Sequence, residues 1–191
     1  MSKKTIIILA VIVVAVVALG GMVIGTYNGL AQGREAVYTE RSDIDTTLQR
    51  RADLIPQLVA TVKNLSEHEQ EVVDSVTKAR AAMMGANTTE EKLEANAELS
   101  SALNRLIAVA EAYPEITSTP AYTTLMDELA GTENRIAVAR KDYNEAVKAY
   151  NDKIITFPGN LFAKMFGFER EVYYEADSSS NTAPNVSDLF E

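Results

Sequence analysis

The sequence predicts an all-α fold in which an N-terminal transmembrane helix continues into an elongated antiparallel bundle of about four helices. Three observations carry that expectation. Residues 5–24 are twenty consecutive uncharged positions, seventeen of them Ala, Val, Ile, Leu or Met. Beyond them, apolar residues recur every three or four positions, the period of a helix buried along one face. No stretch sustains the period-two alternation of a half-buried strand.

The apolar run comes first. As a helix, twenty residues reach ~30 Å, the thickness of a bilayer's hydrocarbon core. Lys3 and Lys4 precede it, as they would in a signal peptide or a signal anchor, and Ala18-Leu19-Gly20 offers a weak cleavage site. The run is longer than the apolar region of a typical signal peptide, so residues 1–25 are read as a retained anchor that meets membrane lipid through residues 5–24. The two lysines and the amino terminus lie at one end, and no basic residue occurs between Gly25 and Gly33 at the other. The positive-inside rule then places the short N-terminus in the cytoplasm and the bundle outside.

The bundle is expected over residues 26–176. Val37, Arg41, Ile44, Leu48, Arg51, Ile55, Leu58 and Val62 alternate by four and three along one seam, with Pro56 inside the helix as an expected kink. Ser66-Glu67-His68-Glu69 reads as a capping box opening a second helix, with Val72, Val76, Ala79 and Met83 on one face and Gly85 as its stop. A third helix opens at Asn87, with Glu90 and Glu91 in its first turn where the helix dipole favours them. It carries Leu93, Leu99, Leu103, Leu106, Ile107 and Ala110, and ends at Tyr113-Pro114. Thr119-Pro120 starts a fourth, whose Tyr122, Leu129, Ile136, Tyr143 and Tyr150 repeat every seven residues and which could run to Thr156. Phe157-Pro158-Gly159-Asn160 is a turn, and the apolar residues from Leu161 to Phe168 must bury against the bundle or touch a partner. Residues 177–191 are expected to form a flexible tail, since the stretch from Asp177 to Pro184 contains Ser, Asn and Pro and has no periodicity.

Composition removes most chemistry. The chain has 191 residues, no cysteine, one histidine and a formal charge of −9. Without cysteine there is no disulfide scaffold, thiol nucleophile or cysteine-held metal. The acidic excess excludes nucleic acid as a partner, because phosphates demand a basic face. Only Lys3 and Lys4 are charged before Gly25, so the remainder carries −11. A bundle invites a di-iron site, but His68 has no glutamate three residues before it and cannot complete that ligand set alone. It reads as a solvated or capping histidine. No nucleophile elbow or phosphate loop occurs, so neither a catalytic centre, a metal nor a cofactor is expected.

Three features are candidates for contact. Gly21, Gly25, Gly29 and Gly33 repeat every four residues, which suits close packing of two helices in lipid or, equally, a hinge beyond the headgroups. Arg51 lies on an otherwise apolar seam, while Glu133, Asn134 and Arg135 flank Ile136. Pairing of Arg51 or Arg50 with Asp53, Glu133 or Asp142 would set helix register, a ligand or partner pocket being the alternative. At the end of the tail, Val186, Leu189 and Phe190 could dock in a groove of a partner or a neighbouring subunit, fold back on the bundle or stand idle.

Several longer strings then point to a family. Tyr27-Asn28-Gly29-Leu30, Gln49-Arg50-Arg51-Ala52-Asp53-Leu54-Ile55-Pro56-Gln57-Leu58-Val59 and Leu106-Ile107-Ala108-Val109-Ala110-Glu111-Ala112-Tyr113-Pro114 resemble the bacterial LemA family. So do the strings from Gly131 to Arg140 and Phe157-Pro158-Gly159-Asn160-Leu161-Phe162. The resemblance implies a membrane-anchored helical bundle and supplies no reaction. It also implies a short N-terminus outside the cell, opposite to the charge bias. The expected function is a non-enzymatic scaffold or adaptor that forms homo-oligomers at the cell membrane. The alternative is a regulatory subunit bound to another membrane protein, a protease or a transporter.

Overall fold

A computed structural model describes residues 3–63, 65–66 and 69–174, the side chains of Thr89, Glu90 and Leu93 excepted. His68 and the tail with Val186, Leu189 and Phe190 lie outside the described residues. The fold is all-α, with no strand among the described residues. The helices are α1 (Lys3–Thr61), α2 (Gln70–Gly85), α3 (Thr89–Ala110), α4 (Pro114–Thr117), α5 (Pro120–Ile155) and α6 (Gly159–Phe166). They divide into two compact units, one holding residues up to Ser42 with 140–174, the other residues 43–139.

In the second unit, the end of α1, α2, α3 and the first half of α5 surround one core. Ile44, Leu48, Ile55, Leu58 and Val62 of α1 are buried there, as their spacing predicts. Val73, Val76, Ala79 and Met83 meet them from α2, with Val73 buried where the sequence pattern singled out Val72. Asp45 and Arg51 of α1 pair with Lys92 and Asn96 of α3 respectively, so those two helices run parallel. The α3 N-terminus is closed by a reciprocal box: Thr88 Oγ1 accepts from Glu91 N–H while the Glu91 carboxylate accepts from Thr88 N–H. The box expected before α2 takes a different form. Ser66 N–H and its hydroxyl both donate to Glu69, Tyr113 Oη donates to the same carboxylate, and α2 begins one residue later. A single turn, α4, follows Tyr113 and buries Ile116.

Pro56 lies inside α1, and the helix continues to Thr61. Proline has no N–H for the carbonyl four residues earlier. That carbonyl belongs to Ala52, a fully buried residue, and Arg80 Nε of α2 donates to it at 2.8 Å.

The first unit has a different make-up. It contains α1 up to Ser42, the second half of α5, α6 and an extended segment through Tyr174. Gly29 faces Lys153 and Gly33 faces Tyr150, so α1 and α5 are antiparallel here. Leu30, Val37, Tyr143, Val147 and Tyr150 form the seam, closed by Ala163, Phe168 and Tyr174. Gly159 opens α6 against the end of α5, where a Cβ would stand 1.9 Å from the Lys153 carbonyl oxygen. Only glycine fits that approach.

Candidate functional site

One set of specific contacts lies where α1 leaves its uncharged run. Tyr27, one helical turn beyond Ile24, sits edge-on to Phe166 and Phe168, with ring centroids 5.1 and 5.6 Å away. Such edge-to-face pairs fix ring orientation beyond the gain from burial. Two residues further along α1, Lys153 Nζ donates to the Gly29 carbonyl at 3.2 Å. A Cβ on Gly33 would lie 3.1 Å from the Tyr150 ring, so glycine at this position admits the close approach of α5 within the same chain. Arg34 lays its guanidinium 4.9 Å over Phe168, a cation–π contact that closes the set.

Above it, an extended segment is fastened to α5 by two asparagines. Asn151 donates its amide to the Glu171 carbonyl at 2.8 Å and accepts from Glu171 N–H at 2.9 Å. Asn144 does the same to Tyr174, at 2.9 and 2.8 Å. A carboxamide carries one acceptor and two donors side by side, so it can take both polar groups of one backbone residue. The spacing follows from geometry. Seven helical residues advance about 10.5 Å and three extended residues about 10 Å, so asparagines seven apart meet every third backbone unit. Tyr143 Oη donates to the Val172 carbonyl at 3.0 Å between them, and the Tyr143 and Tyr174 rings meet edge to face at 5.6 Å. Burial, then the Glu171 carboxylate, pushes the Tyr143 phenol up from its usual value, and burial does the same to Tyr150. The Tyr150 hydroxyl is buried with no hydrogen-bond partner among the described residues.

The second unit holds the polar network read from the sequence. Arg51 is buried, and its Nη1 reaches Glu133 Oε2 at 2.8 Å and Asn96 Oδ1 at 3.2 Å. Arg50 pairs with Glu128 at 2.7 Å. Asp53 is exposed and accepts from Gln49 on its own helix at 2.9 Å, while Asn134 and Arg135 are exposed on α5. Arg51 and Glu133 therefore come together; Asp53, Asn134 and Arg135 stand outside their contact. Asn96 is a partner the sequence did not mark. Its place three residues before Leu99 and seven before Leu103 puts it on the α3 seam, so the spacing carried the signal and the polar side chain hid it.

Of the four glycines spaced by four, Gly33 meets Tyr150, and the Cβ positions of Gly21, Gly25 and Gly29 have open space around them. Among the described residues no group of three or more His, Cys, Asp or Glu side chains is placed to hold a metal. Among the described residues one helix, α1, is long and apolar enough to cross a membrane.

The LemA family model matches residues 40–187. The chain is similar to magnetosome protein MamQ 2 of Paramagnetospirillum magneticum, 27% identical over 96% of this chain and 77% of that protein. MamQ of Magnetospirillum gryphiswaldense is 25% identical over 96% of this chain and 77% of its own length. Protein LemA of Metamycoplasma hominis is 20% identical over 87% of this chain and 76% of that protein.

Proposed function

The chain belongs to the LemA family, and from that premise we propose that it is a non-enzymatic, membrane-anchored scaffold or adaptor whose copies self-associate. The observation that carries the reading is the join between anchor and bundle. The helix holding the uncharged run of residues 5–24 passes without a break into buried positions at Leu30, Gly33 and Val37. No linker intervenes, so any part bound to this unit is held at a fixed height above the bilayer. Open space beside Gly21 and Gly25 supports pairing of anchors, since backbones without side chains can approach closely in lipid. The bundle's acidic charge supports a body that stands off anionic headgroups. On the positive-inside rule that body faces away from the cytoplasm.

The test is the composition of the particle extracted intact from membranes, measured by native mass spectrometry for the unaltered chain and for Gly21→Leu/Gly25→Leu. The expected result is a homo-oligomer that falls apart in the variant. A monomer from native membranes removes self-association. A second polypeptide at fixed stoichiometry replaces the scaffold with a regulatory subunit.

A further inference from the structure

α6 is built inside out for a helix in water. Its inner face supplies the buried Gly159 and Ala163, and Phe162 and Phe166 stack with ring centroids 6.4 Å apart. The opposite face should then be polar. Instead Leu161 and Met165, one turn apart, are 66% and 61% exposed, and Phe157 in the turn before them is 79% exposed. Soluble proteins seldom leave a contiguous apolar stripe of this kind uncovered.

The depth of the stripe says what covers it. The uncharged run ends at Ile24, and a twenty-residue helix fills the ~30 Å hydrocarbon layer. Tyr27 is one turn further, ~4.5 Å along the axis, which is headgroup depth and the ordinary station of a membrane tyrosine. Phe166 of α6 and Phe168 just after it are both packed on that tyrosine. α6 is thus tied to the anchor at the level where hydrocarbon gives way to headgroups, with its apolar stripe uncovered among the described residues and Lys164 exposed beside it. An amphipathic helix at that depth sinks its apolar side chains a few ångströms into the leaflet and keeps its lysine among the phosphates.

We propose that Phe157, Leu161 and Met165 form a second, interfacial membrane contact, the outer face of α6 lying in the same leaflet surface that α1 crosses. The contact is continuous with the anchor and fixes the rotation and tilt of α1, which one spanning helix leaves free. The inference rests on residues 5–24 spanning the bilayer, so its test reads both.

The chain has no cysteine, so single cysteines can be labelled without background. An environment-sensitive fluorophore is attached to Leu161→Cys, Met165→Cys, Val14→Cys or Val138→Cys in the full chain, reconstituted into phosphatidylcholine–phosphatidylglycerol vesicles. Each is challenged with iodide in the water and with nitroxide lipids carrying the quencher at shallow or deep acyl positions. Labels at 161 and 165 should be blue-shifted, lose most of their emission to the shallow nitroxide and resist iodide. The label at 14 should answer to the deep nitroxide, and that at 138 to iodide alone. If 161 and 165 behave like 138, the stripe faces water and the inference falls. It falls equally if they resist both quenchers, because protein then covers them. Val14 quenched in either case leaves the anchor standing, and Val14 untouched by lipid overturns anchor and interfacial contact together.

Discussion

The contact between Arg80 and the Ala52 carbonyl explains how α1 tolerates a proline in its interior. Pro56 removes the donor that Ala52 would otherwise meet, and a buried carbonyl left alone costs ~1–3 kcal/mol. Arg80 replaces that donor from the neighbouring helix with a charged group at 2.8 Å. Arg80→Met should therefore destabilise the chain by about 1.5–3 kcal/mol, the range for a lost charged hydrogen bond with a stranded partner. Pro56→Ala restores an N–H four residues beyond Ala52, so the same Arg80→Met change in that background should cost at least ~1 kcal/mol less. Urea unfolding of the four proteins in detergent gives the cycle directly. Additive losses would mean that Arg80 stabilises α2 for some reason unrelated to the proline.

At the scale of elements, the two asparagines on α5 make a prediction of their own. If Asn151 holds both backbone groups of Glu171, Asn151→Ala loses two hydrogen bonds of ~0.5–1.5 kcal/mol each, enough to speed local opening roughly 10–100-fold. Amide exchange should accelerate in the extended segment from Phe168 to Tyr174, with little change in α2 and α3. Uniform acceleration across the chain, or none, would sink the idea that this contact is a local fastening. The seams of α1, α3 and α5 were legible because burial writes itself into the sequence at every third or fourth residue: Ile44, Leu99 and Ile136 are buried where that spacing puts them. Arg51 was legible too, as a charge where the seam wanted an aliphatic. The fastening was not. Asn144 and Asn151 each follow a seam tyrosine, where a helix ordinarily turns to solvent, and their partner segment is extended backbone held by side-chain amides, which imposes no periodicity on its own residues. The turn α4 escaped for a related reason, since Pro114 reads as the end of one helix and four residues are too few to repeat anything.

For the whole molecule, the groups whose protonation is tied to folding set a window of stability with different chemistry at each edge. The Glu91 carboxyl is held below its ordinary value of 4.5 by the Asn87 and Thr88 N–H groups that donate to it. Its folded form prefers the carboxylate, so its contribution is complete above that ordinary value and is lost as pH falls through and below it. Burial raises the phenols of Tyr122, Tyr143 and Tyr150 above their ordinary 10.0. The folded chain then keeps protons that the unfolded chain releases, and stability declines as pH climbs past that value. An alkaline decline could also come from growing self-repulsion of a body that already carries an acidic excess. The tyrosines separate the two causes, because a phenylalanine cannot ionise while leaving the surface charge of the folded chain untouched. Tyr150 is the better probe, since its hydroxyl has no hydrogen-bond partner among the described residues and its replacement should leave stability near neutrality unchanged or slightly raised. In denaturant midpoints measured across pH on the full chain, Glu91→Gln should flatten the acid edge, and Tyr122→Phe/Tyr150→Phe should move the alkaline edge to higher pH. An alkaline edge that stays in place in the double variant removes the Tyr122 and Tyr150 phenols as its cause.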